Sequence, residues 1–510
     1  MSACVLVLLD VAGARHGFEV EGEGLVVSID GDEVEFAEGI ALDSDLPARS
    51  VSLQGSSSSG GTISLALDLE VLDLWAIRDG VPIQTINVRI WWWPDDEPFD
   101  EQLHEIYRGQ PRSPTWDLEA GQVRFEVAAP SRVPDVQFPP SAVGDEDRFP
   151  DAPSNSAGQA VPVIYGRARG VPLPALDAAP SPAPEDPADY PARRFLVAGH
   201  PIRSTTIQVR DPDGAALGTP KAVEQGTDGR GEPYSYVTLS GVDLDGVGDA
   251  VHAEEVEGWV APEGRLLDAL GDVLLHLWGT YAGEDFHELD RARAWYARTG
   301  LNRYRVAFVF NRIQTGGTLL RTIASRIQSQ FPVSVGLQGG RMGWDCTALP
   351  GPDAVVQHTL TYGQDVHDRS QIGETSIDDV LTEISLSYAF DGFEGSMTKI
   401  REFTPENHGG CQGALTRYGP SGVSRLEAPD APDDGTAFQL LTQHARTLNG
   451  IRDTVAYSGL PTPWFLARPL DVVAVTDAAA GWTERKFLVL SVQPTLFGDV
   501  SLALLSLEAR

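Results

Sequence analysis

Five groups of residues in this 510-residue chain carry side chains capable of chemistry. Asp243-Leu-Asp245-Gly246-Val-Gly-Asp249 offers carboxylates at alternating positions, as a calcium loop does. Its glycine comes too early and a third ligand is missing, so an acidic β-turn accounts for it better. Glu284, Asp285, His287, Glu288 and Asp290 are the residue types of acid–base or metal chemistry, but they lack HExxH spacing and a second contributing segment. A solvated first helical turn, with acids facing the positive end of the helix dipole, is the simpler reading. His408-Gly-Gly-Cys411, with Cys346 as a distant third, supplies imidazole and thiolate but leaves a zinc site incomplete. A turn with a buried thiol is expected there. The run Ser56 to Ser59 makes no G-x-S-x-G elbow, and no glycine-rich loop ends in Gly-Lys-Ser/Thr. Trp91-Trp92-Trp93 could stack on sugar rings, yet in a strand only Trp91 and Trp93 share a face. Core or interface packing is their expected use. The sequence therefore nominates no catalytic, cofactor-binding or metal-binding residue, and it predicts a protein that is not an enzyme and needs no cofactor.

The composition restricts partners. With 38 Lys+Arg against 73 Asp+Glu the formal charge is −35, a field that repels phosphate backbones and anionic membrane surfaces. Lysine occurs only at Lys221, Lys399 and Lys486, so the cations are nearly all arginine, whose planar fork suits interface ion pairs. A GC-rich genome is the plain source of that bias, with a saline habitat second. Cys4, Cys346 and Cys411 are odd in number and far apart, which gives neither a disulfide framework nor a CxxC knuckle. The apolar opening from Cys4 to Leu9 lacks a basic flank, is too short to span a bilayer and runs straight into Asp10. No secretion or membrane signal is expected from it.

The elements that must position these groups are mostly strands. Residues 1–130 alternate in the strand period at Leu25, Val27 and Ile29, at Ile63, Leu65 and Leu67, at Val88 and Ile90, and at Val123, Phe125 and Val127, which predicts an N-terminal β domain. Residues 131–160, rich in Pro, Ser, Asp and Gly, read as a linker or arm. Residues 161–262 read as a second β domain interrupted by the Pro/Ala tract from Ala178 to Pro187. Beyond Pro262, Leu266, Leu267, Leu270, Val273, Leu274 and Leu277 fit one helical face, with that proline in the first turn. Helical stretches near 287–297, 318–330 and 438–448 alternate with strands, so 263–450 is predicted α+β. Residues 451–510 return to strands and predict a small C-terminal β-barrel. At about 150 residues per domain, this chain is long enough for three or four domains. No fixed-period repeat is visible.

Several short stretches, in order, resemble the central hub proteins of phage tail tips. They are Val161-Pro-Val-Ile-Tyr-Gly-Arg167, Val197-Ala-Gly-His-Pro-Ile202, the helix-like run Leu319 to Phe331 ahead of Gly339-Gly-Arg-Met-Gly343, the strand Ser376 to Tyr388, and Arg468-Pro-Leu-Asp-Val-Val-Ala-Val-Thr-Asp477. The resemblance runs from about residue 160 to Arg510. Leu470 departs from it, standing where the family pattern has glycine.

The resemblance implies a mainly β chain with an α+β middle, in which several small β-barrel or sandwich-like domains form a tail hub. It implies a homotrimeric virion protein at the tail tip that closes the tube and opens for genome ejection. Its implied partners are a distal tail ring protein, the tape-measure protein and tail fibre or receptor-binding proteins, with DNA passing without specific binding through an acidic lumen. A contractile-tail baseplate hub is the near alternative. A glycan-degrading enzyme would need two acids flanking a sugar cleft, and none can be picked out; a glycan-binding protein would use the tryptophan triplet. The hub-like motifs run to Arg510, so the receptor-binding extension of tip attachment proteins is expected to be absent.

Overall fold

The computed structural model describes residues 3–509 apart from 12–13, 21–23, 39, 43–48, 51–62, 69–85, 95–97, 102–103, 118, 129–132, 145–147, 179–185, 187–188, 212, 241–250, 284–287, 313–316, 339–340, 352, 371 and 495–498. Strands hold 47% of the chain and helices 17%, so it is mainly β, with its helices gathered in the middle.

The apolar opening is a strand, Ala3–Val11, in the centre of a nine-stranded sheet. It pairs on one side with Ala14–Val20 and on the other with Asn87–Pro94. Both faces are covered. Leu6 and Leu8 join a cluster with Val27, Val34, Phe36 and Trp91, and Val5, Val7 and Leu9 enter a much larger core on the other side. Burial on both faces explains why this segment reads as a continuous apolar run instead of an alternation.

That larger core also holds Tyr457, Phe465, Val473, Val475, Phe487, Val489 and Leu502 from the C-terminal part of the chain. The C-terminal sheet runs in the order His358–Thr361, Val472–Asp477, Trp482–Pro494, Val500–Ser506, Asp453–Leu460 and Asp368–Arg369. Its two end strands are consecutive in the chain, joined by residues 362–367, where Tyr362 bridges Val366. It draws in 358–374 and, from the N-terminal region, Arg49–Ser50. The first and last parts of the chain thus share one apolar interior.

The second β region encloses its own core of Val171, Phe195, Val197, Val209, Val237 and Val251 between a three-stranded sheet and a six-stranded one that it shares with the middle of the chain. Of the Pro-rich stretch, Val133 and Phe138 pack into the core of the middle region, whereas Val143 and Phe149 lie against the second β region. Ala142 bridges Ala160, the Phe149 ring meets the Tyr234 ring at 5.0 Å, and the Arg148 guanidinium is buried on the Asp228 carboxylate, with 2% and 0% of the two side chains exposed. Asp228 also accepts the N–H groups of Arg230 and Glu232 at 3.0 and 2.9 Å, which shapes the receiving turn.

In the middle, Asp434–Leu448 and Gly409–Tyr418 lie on the long strand Leu381–Asp391, burying Ile384, Leu386 and Tyr388 with Leu440 and Leu441. The first helix of this region is shorter than the leucine spacing suggests: it spans Leu270–Leu277. Leu266 instead bridges Val260, and the Leu267 N–H donates to the Trp259 carbonyl at 2.9 Å. Ala261-Pro262-Glu263-Gly264 has proline second and glycine fourth, and the Gly264 N–H donates to the Ala261 carbonyl at 2.8 Å. Those are the preferences of a tight turn, and they override the helical spacing upstream.

Leu470 has φ 75°, in the left-handed region where a Cβ is strained and glycine is not. Its N–H donates to the Val489 carbonyl at 2.8 Å and its side chain packs beside the cluster of Leu349, Val472 and Leu488. Leucine thus holds the glycine-type turn there, with apolar contact offsetting part of the strain.

Candidate functional site

The motif residues at 161–202 converge on a buried stack. Val163–Tyr165 pairs antiparallel with Phe308–Phe310, and the chain then crosses Val306 at Gly166. Here φ is 69°, and a Cβ would stand 1.8 Å from the Val306 carbonyl oxygen, so only glycine fits. The Gly166 N–H donates to the Leu267 carbonyl and its own carbonyl accepts from Gly258, each at 2.9 Å. Behind this crossing the Trp259 ring lies flat against the His200 ring at 4.3 Å and 7°, with the His276 ring 4.6 Å away on Trp259. Tyr165, fully buried, reaches His276 Nδ1 with its hydroxyl at 2.9 Å.

His200 Nε2 accepts the Ile164 N–H at 3.0 Å, so its proton sits on Nδ1 and points at the Pro201 carbonyl 2.9 Å away. Burial pushes His200 down to about 3 and His276 down to about 4. Both imidazoles are therefore neutral, structural groups at pH 7. In the unfolded chain a histidine takes up its proton near 6.5. The contribution of His200 to stability is thus complete above pH 6.5 and is lost as pH falls toward 3, amounting to about 2 kcal/mol at pH 5. We expect the urea midpoint to fall between pH 7.5 and 5.0, and a His200→Gln variant to lose about that much of the pH dependence; equal pH dependence in both proteins would contradict the assignment.

One residue past the crossing the chain emerges into a groove of about 730 Å³, lined by Arg167, Arg169, Arg203, Glu254, Glu257 and Lys399 among others. A second depression of about 620 Å³ continues it, sharing Arg167, Arg203 and Glu257 and adding Arg265, Asp268 and Arg305. Within it Arg167 pairs with Glu257, Arg305 with Asp268, and Arg265 with Asp272 at 3.0 Å. Arg203 stands 3.7 Å from Glu257, and Arg169 is 3.6 Å from Asp391. The tripeptide Tyr165-Gly166-Arg167 thus joins the buried stack to a groove of alternating, paired charges. Sequence reasoning noticed the motif but not the groove, because Arg203, Arg265 and Arg305 come from separate segments and only the fold brings them beside Arg167.

The helix of the resemblance, Leu319–Ile327, is fixed by a forked ion pair. Arg326 donates from Nε and Nη2 to the two oxygens of Asp430 at 2.8 and 2.6 Å, and the Gln330 amide adds a contact at 2.7 Å. Asp471 of the C-terminal motif accepts the Arg468 N–H at 2.8 Å and faces His358 at 3.0 Å.

The other chemically suggestive residues do not assemble. Asp243 to Asp249 and residues 284–287 lie outside the described residues, as does Ser56 to Ser59; Glu288 begins the helix Glu288–Leu301. His408 caps the helix Gly409–Tyr418, accepting the Cys411 N–H, and stacks on Phe403 at 4.2 Å. Cys411 is buried, and Cys346 lies by Arg303, 3.7 Å from its guanidinium. Among the described residues no group of three or more His, Cys, Asp or Glu could hold a metal ion. Trp91 and Trp92 are fully buried on opposite faces, Trp91 against Phe36 and Phe99 and Trp92 against Phe465, so neither offers a sugar platform.

No protein-family profile and no curated sequence matches the chain. Among solved structures it is similar to a protein in the virion of a native gene transfer agent particle, at 15% identity and TM-score 0.42, covering 72% of this chain and 89% of that one. It is similar to a tail protein from Neisseria meningitidis MC58, at 10% identity and TM-score 0.37, over 98% and 96% of the two chains. It is also similar to the 43 kDa tail protein of prophage MuSo2 from Shewanella oneidensis, at 10% identity and TM-score 0.36, over 98% of each.

Proposed function

We propose that this chain is a structural component of a phage-type particle, the central hub of its tail tip, which closes the tube as a homotrimer and anchors neighbouring tip proteins. The observation that carries this reading is what the motif residues do. Tyr165, Gly166, His200, the helix Leu319–Ile327 and the turn at 468–471, which in sequence resemble the hub family, are all engaged in internal packing and hydrogen bonding. Groups used in this way make a rigid block, and a block suits a ring that must bear load and open once. The charge of −35 supports a lumen to which DNA adheres little. A distal ring protein, the tape-measure protein and fibre or receptor-binding proteins complete the assembly in this reading, and it requires no enzymatic chemistry.

The test is the mass of the full-length protein by light scattering at physiological and high salt. A discrete oligomer that also recruits a second ring protein is the expected result. A monomer at every concentration, combined with hydrolysis of a cell-wall or capsule glycan, would replace the hub with an enzyme.

A further inference from the structure

We infer that the strand Gly422–Ala428 pairs edge to edge with the same strand of a second copy of this chain. Among the described residues nine large apolar side chains are exposed, and five of them, Ile377, Phe390, Ile400, Val423 and Phe438, lie between residues 377 and 438. That span holds a unit in which Leu381–Asp391 runs between Ser396–Phe403 and Gly422–Ala428. The helices Gly409–Tyr418 and Asp434–Leu448 cover one of its faces. Both outer strands are edges, each hydrogen-bonded to no strand but the central one. An edge strand turns a row of N–H and C=O groups outward, which is a template for a further strand.

The charges decide which edge pairs, and with what. Arg425 and Glu427 are exposed and stand two residues apart on one face of their strand. Neither side chain has an ion-pair or hydrogen-bond partner among the described residues. On the inner side they lie beside Ser385 and Ser387, which carry no charge. Turned antiparallel about Leu426, the strand sets Arg425 opposite Glu427 of the partner subunit and Glu427 opposite the partner's Arg425. Directly opposite side chains are about 5 Å apart, and opposite charges there attract. Leu426, partly buried on the helix-covered face beside Leu386, meets its own copy. Turning about Arg425 or Glu427 would set like charges together, so the same two residues fix the register. The other edge fails this test. Ser396–Phe403 turned about Ile400 sets Lys399 against Arg401, and turned about either cation sets it against itself.

The helices leave room for the pairing. A two-fold axis perpendicular to the sheet keeps the helices of both copies on one face. They lie over Leu381–Asp391, and the two central strands of the pair stand three strand spacings apart, about 14 Å. Packed helices need only about 8 to 10 Å between axes, so the two sheets run on as one without collision. The contact is isologous and therefore distinct from the head-to-tail contacts of a ring. It does not rest on the hub reading, and a ring that also pairs in this way is found as two rings joined.

Charge reversal in the full-length chain tests this, read by light scattering across micromolar concentrations at low and high salt, with circular dichroism confirming the fold. The wild type is expected as a dimer, or as two joined rings, with the contact weakened by salt because its ion pairs are exposed. Arg425→Glu alone and Glu427→Arg alone each set like charges opposite, and each is expected to halve the mass. Mixing the two variants should restore it, since both positions are then acidic in one chain and basic in the other. Damage to the fold cannot imitate that recovery. A wild type that stays monomeric, single reversals that leave the mass unchanged, or a mixture that stays apart would each overturn the pairing. A trimer in the wild type and in every variant would overturn it and leave the hub reading standing.

Discussion

Replacing Arg148 with alanine is expected to cost the second β region about 3 to 5 kcal/mol, because it leaves the Asp228 carboxylate buried without its cation. Neither side chain is more than 2% exposed, so water cannot replace the lost partner. Burial is the largest single influence and would raise the Asp228 pKa; the hydrogen bond and charge of Arg148, together with the N–H groups of Glu232 and Arg230, outweigh it and hold the carboxyl below its usual range. Arg148 also contacts Glu232 at 2.9 Å and the Ser141 hydroxyl, which ties Ser141 to the turn at 228–232. Asp228→Asn should cost less, since the amide oxygen can still accept the Arg230 and Glu232 N–H groups and Arg148 keeps Glu232. Urea unfolding followed by tryptophan fluorescence measures both, with Trp259 reporting on this region. A loss below about 1 kcal/mol for Arg148→Ala would mean that the pair is solvated in solution and the Pro-rich stretch is not docked by it.

The second large effect is expected at Trp92. Its ring is fully buried and lies 4.5 Å from Phe465, within the core that the N-terminal sheet shares with the C-terminal sheet. Trp92→Ala should cost about 3 to 5 kcal/mol, combining lost burial with a cavity that two sheets line and neither can fill. Trp93→Ala, at a partly exposed position against Phe99, should cost much less. Because the core is shared, amide exchange should quicken in Asn87–Pro94 and equally in Val472–Asp477. Faster exchange confined to the N-terminal strands would show that the two regions unfold independently. In a tail tip the coupling would let force on one region reach the other without a hinge.

Much of this architecture was legible in the sequence. The period-2 runs at 25–29, 63–67 and 123–127 became strands because alternate residues of a half-buried strand must differ in polarity. The tryptophan triplet divided between two faces for the same geometric reason. The unusual leucine at 470 was visible from the motif it interrupts, and it occupies a left-handed turn.

The tertiary structure decided what period and motif could not. Leucines at 266 and 267 fit a helical face as well as the pairing they adopt, and the tight turn at 261–264 selected the pairing. That residues 3–11 and 453–506 share one interior is invisible in sequence, because an apolar strand records that it is buried but not what it is buried against. The groove is the clearest case. Each arginine alone reads as an ordinary surface cation, and the network of ion pairs exists only after pairing of distant strands has set Arg167, Arg203, Arg265 and Arg305 around one cavity with Glu257 and Asp268. Sequence determines which side chains prefer water or interior, since that preference is local chemistry. Which of them become neighbours is settled by long-range packing, where the free energy belongs to pairs of segments and not to either one alone.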